Sequence, residues 1–175
     1  MVKLMCGISG SGKSTFYKKN CGEAPFYINP DTIRKQVCGD VSDQSRNKLV
    51  WEIAYESLKD FCLEEKENIW FDATSLHNSS IRAVLEIASL YKQDVEIYIM
   101  NDSLDKELCK SRVRADIEGG VDRSNVPDEI IDKQFENFKS LTDNLEEYRK
   151  GWHKEFPNIN IYICKVNSDG IWYNV

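Results

Sequence analysis

The feature that most constrains this chain is the stretch Gly7-Ile8-Ser9-Gly10-Ser11-Gly12-Lys13-Ser14, followed by Thr15, which fits GxxxxGK[ST] at every fixed position. An apolar run from Val2 to Cys6, broken only by Lys3, precedes it and reads as a buried parallel strand. Lys13 to Lys19 follows without Gly or Pro and can open a helix. Glycines at 7, 10 and 12 let the backbone bend until its N–H groups point inward, and the helix N-terminus adds its positive dipole end to the same point. Such a cradle takes phosphate. Ser9, Ser11 and Thr15 complete the stretch that would wrap ATP, with Lys13 reaching the β- and γ-phosphates and the Ser14 hydroxyl on Mg²⁺. A chance Gly/Ser turn would share the glycines but not the strand before and the helix after.

The rest of the chain repeats the strand–helix alternation that this loop demands. Glu23-Ala24-Pro25 closes the first helix, Phe26 to Asn29 is a short strand, and Asn29-Pro30-Asp31 starts a helix that Gly39 ends. Helical spacing of Leu49, Val50, Ile53, Leu58, Phe61 and Cys62 predicts one long amphipathic helix from about Ser42 to Glu67. Ile69-Trp70-Phe71 runs as a third strand into Asp72, a helix follows to about Tyr91, and Val95 to Met100 is the fourth strand. Leu104 to about Ile117 is a basic helix, Glu118 to Asp122 a glycine loop, and Pro127 restarts a helix with a break near Thr142-Asp143-Asn144. Ile159 to Val166 is the fifth strand, Asn167 to Gly170 a turn, and Ile171-Trp172-Tyr173 a candidate hairpin arm. The pattern predicts a single α/β domain over 1–175: a five-stranded, mainly parallel sheet with helices on both faces.

Composition narrows the function classes. With 41% hydrophobic and 30% charged residues the chain is an ordinary globular one, and no apolar run approaches the ~18–20 residues of a membrane span. The N-terminus enters strand and loop directly, so a leader would consume the motif; a cytoplasmic protein without membrane contact is expected. The cysteines at 6, 21, 38, 62, 109 and 164 form no CxxC pair, which points to reduced thiols. A net charge of −6 argues against coating a long duplex. A nucleic acid would have to be gripped at one end by a few arginines.

Three further groups of residues carry chemistry. Asp31 and Arg34, three apart, share a helical face at a strand end that opens on the rim of the phosphate loop. The carboxylate can orient an acceptor hydroxyl and take its proton, while the arginine holds an anionic group; a helix cap and a surface ion pair would use the same residues. Asp72, ending an apolar strand, can hold Mg²⁺, steer Arg34, or simply cap Ala73-Thr74-Ser75. Arg112, Arg114 and Arg123 flank the glycine loop as positive groups of a lid spanning approximately 110–126, or as a solvated face balanced by Asp116, Glu118 and Asp122. His77 and His153 stand alone and read as surface residues.

Taken together, GxSGSGKST, Tyr-Ile-Asn-x-Asp-x-x-Arg, Phe-Asp-Ala-Thr and Cys109-x-x-Arg112 resemble the polynucleotide 5′-hydroxyl kinase family, particularly the kinase modules of phage and bacterial RNA-repair enzymes. The resemblance runs from roughly Val2 to Val166. It implies a P-loop kinase fold with a helical lid and transfer of the γ-phosphate of ATP to the 5′-hydroxyl end of RNA or DNA. It further implies Lys13 and Ser14 on ATP and Mg²⁺, Asp31 as general base, and Arg34 on the phosphate following the acceptor nucleoside. Asp72 would support the acceptor site, and Arg112 and Arg123 would belong to the lid. The chain departs from many such kinases in having no DxDGT phosphatase motif, and in the extra Glu118-Gly119-Gly120 within the lid. A small-molecule kinase and an ATP-gated binding module are the competing expectations. RNA versus DNA, single strand versus duplex, and oligomeric state stay open.

Overall fold

The computed structural model describes residues 1–22, 26–121, 123–167 and 170, with the backbone of 172–174. The strands are β1 (Val2–Cys6), β2 (Phe26–Ile28), β3 (Ile69–Asp72), β4 (Val95–Met100), β5 (Ile161–Val166) and β6 (Trp172–Asn174). The helices are α1 (Lys13–Asn20), α2 (Pro30–Cys38), α3 (Asn47–Leu63), α4 (Asn78–Leu90), α5 (Lys106–Glu118), α6 (Asp128–Asp143) and α7 (Leu145–Glu155). One sheet has the order β2-β3-β1-β4-β5-β6. Its first five members are parallel, as expected, and β6 adds a sixth, antiparallel strand against β5.

Strand alternation sorts the core onto two faces. Leu4 and Cys6 of β1, Phe71 of β3 and Ile97 and Ile99 of β4 face one way, against α3 to α7. Met5, Trp70, Tyr98 and Met100 face the other way, where Phe16 of α1 is buried among them. That second layer is thin and aromatic: Phe16 meets Tyr98 at 5.2 Å and Trp70 at 6.3 Å between ring centroids. Parallel strands bring all their carboxyl ends to one rim. Met5 pairs with Asp72 in register, so the loop after β1 and the end of β3 open side by side.

Several boundaries differ from the sequence reading for local reasons. The long helix starts at Asn47, not near Ser42, and ends at Leu63. Asp40 Oδ1 accepts from the Ser42 N–H at 2.7 Å and Asp43 Oδ1 from the Ser45 N–H at 2.8 Å. These aspartate turns compete with helix for the same backbone donors. The basic helix starts at Lys106 because Asp105 caps it, accepting from the Leu108 N–H at 2.9 Å, while Asn101–Leu104 forms a separate 3₁₀ turn. The break between α6 and α7 falls at Asn144, whose side chain donates back to the Ser140 carbonyl. The readings at Glu23-Ala24-Pro25, Asp122, Ser168-Asp169 and Ile171 lie outside the described residues. All six cysteines are free thiols. Among the described residues no helix is long and apolar enough to cross a membrane.

Candidate active site

The loop after β1 is shaped by close approaches that only glycine permits. A Cβ on Gly7 would come within 2.7 Å of Met100 Cβ. Gly10 has φ +81°, and a Cβ there would sit 2.2 Å from the Cys109 carbonyl oxygen, so the loop lies directly on α5. Gly12, at φ 87°, leads into α1, whose first N–H groups receive no side-chain cap. They are left for an anion. Lys13 is partly buried, and its Nζ donates to the carbonyls of Gly7 and Ile8, both at 2.9 Å. Burial pulls the Lys13 pKa down, and the nearby Asp72 carboxylate works against that shift. Remote side chains also hold the loop: the Ile8 N–H donates to Ser103 Oγ at 3.1 Å, and the Ser9 N–H to Gln134 Oε1 at 2.8 Å. The Ser14 and Thr15 side chains are exposed along the cleft, whereas Gly7 and Ser11 are buried beneath it.

Opposite the loop, Asn29 ties two elements together. Its Oδ1 accepts from the N–H groups of Asp31 and Thr32 at 2.8 and 3.1 Å, capping α2, and Pro30 sits at the first helical position. Its Nδ2 donates to Tyr27 Oη at 3.0 Å and to Asp72 Oδ2 at 3.3 Å. Tyr27 also donates to Asp72 Oδ2, at 2.6 Å. Burial, then the Asp72 charge, raises the Tyr27 pKa, so the phenol keeps its proton and remains a donor. Asp72, only 4% exposed, is thus held by Tyr27 and Asn29; its described hydrogen bonds neither cap residues 73–75 nor reach Arg34.

Arg34 and Asp31 do pair, but not as a surface bridge. Arg34 is 5% exposed. Its Nη1 donates to Asp31 Oδ1 and to the Val41 carbonyl at 3.4 Å, and its Nη2 to Asn47 Oδ1 at 3.1 Å. Its Nε is buried and has no partner among the described residues. The Asp31 side chain is 54% exposed, so the carboxylate reaches the cleft while its counter-ion is fixed behind it. Since Asn29 supplies the cap, Asp31 is free of that duty.

The arginines around the glycine loop separate into two kinds. Arg112 Nη1 donates to Asp102 Oδ2 at 2.7 Å and to the Gly10 carbonyl at 3.4 Å. Arg123 Nη1 donates to Asp116 Oδ2 at 2.5 Å, and its Nε is buried without a described partner. Both side chains line the cleft. Arg114 pairs instead with Asp128 of α6 and lies outside it. His77 and His153 are exposed and also lie outside.

One cleft of about 1090 Å³ therefore gathers Lys13, Ser14, Asp31, Arg34, Asp72, Arg112 and Arg123, with Ser9, Gly10, Gly12 and Thr15 along its loop wall. Tyr27, Asn47, Ser103, Gln134 and Trp51 also hold or line this site, and sequence reasoning singled out none of them for it. Tyr27 alone had a local signal, standing two residues before Asn29 in the motif. Ser103 and Gln134 reach the loop from 95 and 125 residues away and leave no local trace.

A family model described as an AAA domain matches residues 2–141. Among solved structures, a chain of the AvrRxo1-ORF1:-ORF2 complex with ATP superposes with a TM-score of 0.69 at 14% identity, over 100% of this chain and 57% of that one. The same complex with sulphate ions gives 0.68 at 14% identity, with the same coverage. A structure of the PezAT chromosomal toxin–antitoxin system of Streptococcus pneumoniae gives 0.59 at 14% identity, over 99% of this chain and 70% of that one. The chain thus spans 57% of the length of the AvrRxo1 complex chains it matches. At such identity the likeness concerns the fold alone, an α/β fold around a parallel sheet.

Proposed function

This chain belongs to the AAA domain family, and on that premise we propose that it transfers the γ-phosphoryl group of ATP to the 5′-hydroxyl end of a polynucleotide. The observation that carries the reading is that one cleft holds a phosphate loop and, across from it, an exposed carboxylate backed by a buried arginine. A nucleotide switch has no use for an acceptor base. A phosphotransferase does.

In this reading the loop N–H groups and Lys13 receive the β- and γ-phosphates, Lys13 giving up its carbonyl contacts for the stronger anionic partner. Ser14 and Asp72 are hard oxygen donors in the same cleft, and they fit Mg²⁺, which takes one or two protein ligands beside substrate phosphates. When bound, Mg²⁺ would supply positive charge that offsets the charge of the phosphates. Tyr27 and Asn29 hold Asp72 in place for that role. The acceptor oxygen attacks the γ-phosphorus, its bond to the β–γ bridging oxygen breaks, and ADP leaves. Asp31 orients the hydroxyl and takes its proton, with Arg34 fixed behind it; to hold an acceptor phosphate as well, Arg34 would release one of its present Nη partners, since its Nε is buried. Arg112 and Arg123, on the lid over approximately 110–126, neutralise the charge on the group in flight.

The test incubates protein, Mg²⁺ and γ-labelled ATP with a 5′-hydroxyl oligonucleotide, its 5′-phosphorylated twin, and a panel of nucleosides, sugars and other alcohols. Strong label on the 5′-hydroxyl oligonucleotide is expected, with much weaker label on nucleosides and none on the 5′-phosphorylated twin, sugars or other alcohols. ATP binding with no transfer to any acceptor would overturn the enzyme reading in favour of an ATP-gated module. A small-molecule acceptor is the second reading. It is favoured by the −6 net charge and by Arg34, whose Nη atoms are occupied and whose Nε is buried.

A further inference from the structure

Helix α3 meets the cleft with Trp51, one turn after Asn47 on the same helical face. Asn47 holds Arg34 Nη2 at 3.1 Å, so the face carrying Trp51 is the one turned toward the acceptor end. Trp51 is partly buried, and its core side is braced. Its ring stacks on Tyr55 at 5.8 Å and 30°, and Tyr55 stacks on Phe71 at 5.8 Å and 15°. Phe71 is the β3 residue before Asp72. The column ties the indole to the strand that ends in the site, and its open side lines the cleft.

The surroundings specify a ligand with a flat apolar ring joined to an anion. Val41, whose carbonyl takes Arg34 Nη1, lines the cleft together with Trp51. Arg34, Lys18, Lys19 and Lys35 line the same cleft and make it cationic. We propose that Trp51 is the stacking face for the base of the nucleotide whose 5′-hydroxyl is phosphorylated. This rests on the transferase reading and narrows its acceptor to a base-bearing nucleotide end, excluding a sugar or simple alcohol. A sugar ring can also pack on indole, but its hydroxyls ask for polar partners, and Val41 contributes an apolar side chain there. Base–aromatic stacking accepts any base, so no sequence preference accompanies it.

The experiment compares a 5′-hydroxyl oligonucleotide with the same strand carrying an abasic first residue, for the wild type, Trp51→Ala, Trp51→Leu and Trp51→Phe. ATP affinity serves as the folding control. Trp51→Ala should raise the acceptor KM by about five- to a hundredfold, with kcat moved far less. Trp51→Phe should recover most of that loss and Trp51→Leu little of it. Removing the base should cost the wild type a similar factor and Trp51→Ala nothing more, since the two changes delete one contact. If Trp51→Ala does not fold, Trp51→Leu takes its place. Variants that still discriminate the base-bearing from the abasic strand as the wild type does would overturn the stacking role while leaving the transferase reading intact. A wild type that labels neither strand would overturn the transferase reading itself.

Discussion

At one end of the cleft the groups come from nine consecutive residues, Gly7 to Thr15, and act mainly through backbone N–H groups and one lysine. At the other end they come from β2, α2, α3 and β3, between Tyr27 and Asp72, and nearly all are side chains. The first end depends on φ angles that only glycine adopts cheaply and on a helix N-terminus. The second depends on a relay of hydrogen bonds in which Asn29 touches the α2 backbone, Tyr27 and Asp72 at once. A backbone cradle should tolerate side-chain changes other than at its glycines and lysine. A side-chain relay should feel each deletion, and differently for each acceptor.

The largest expected effect lies at the backbone end. Lys13→Ala should cut phosphoryl transfer by about 10³- to 10⁵-fold, the range for a charge placed on a transferring phosphoryl group. ATP affinity should weaken with it, and titration beside single-turnover assay measures both. Full activity in a folded Lys13→Ala protein would remove the distinction between the ends, because the loop would then bind no phosphate.

Next comes Asp31→Asn. Asn29 holds the α2 cap, so fold and ATP affinity should survive, while turnover on a 5′-hydroxyl strand falls by about 10²–10⁴. Turnover kept within about threefold, well short of that contribution, would move the base to Asp72.

Arg34→Ala should cost about 1.5–3 kcal/mol in transition-state binding on acceptors bearing a phosphate next to the accepting nucleoside, and less on plain nucleosides. Specificity constants for matched acceptors with and without that phosphate are the measurement. Equal losses on both would make Arg34 a support for Asp31 and Asn47 only, and the acceptor end would be one rigid unit with no anion contact of its own.

The smallest effect should come from Gln134→Ala, which removes the acceptor for the Ser9 N–H. One neutral hydrogen bond is worth about 0.5–1.5 kcal/mol. ATP affinity should therefore fall by a few fold, with acceptor KM unchanged. A change in acceptor KM instead would mean that α6 couples the two ends.

The two ends also differ in how far they could be read from the chain. The phosphate loop, its flanking strand and helix, and the α2 start at Asn29-Pro30 follow from short-range rules: glycine φ freedom, capping, proline at the first turn. Short apolar runs located β1 and β3, and alternation located β4, for the same reason. The beginning of α3 was not legible, because the turns at Asp40 and Asp43 compete with helix through bonds that propensity does not count.

By itself, then, the sequence determined a parallel α/β fold with a phosphate loop, and it named the charged residues that meet in the cleft. Only the tertiary structure decided that Arg34 is buried instead of bridging at the surface, that Arg114 turns away to Asp128, and that Tyr27 and Asn29 hold Asp72. Only it brought Gln134 to Ser9 and Trp51 into the cleft. The physical reason is range. A φ angle or a cap is settled within a few residues of chain, whereas Arg34 reaches its partner Asn47 across 13 residues, Tyr27 reaches Asp72 across 45, and Ser9 reaches Gln134 across 125. Such pairings exist only after the sheet has set which strand ends lie side by side.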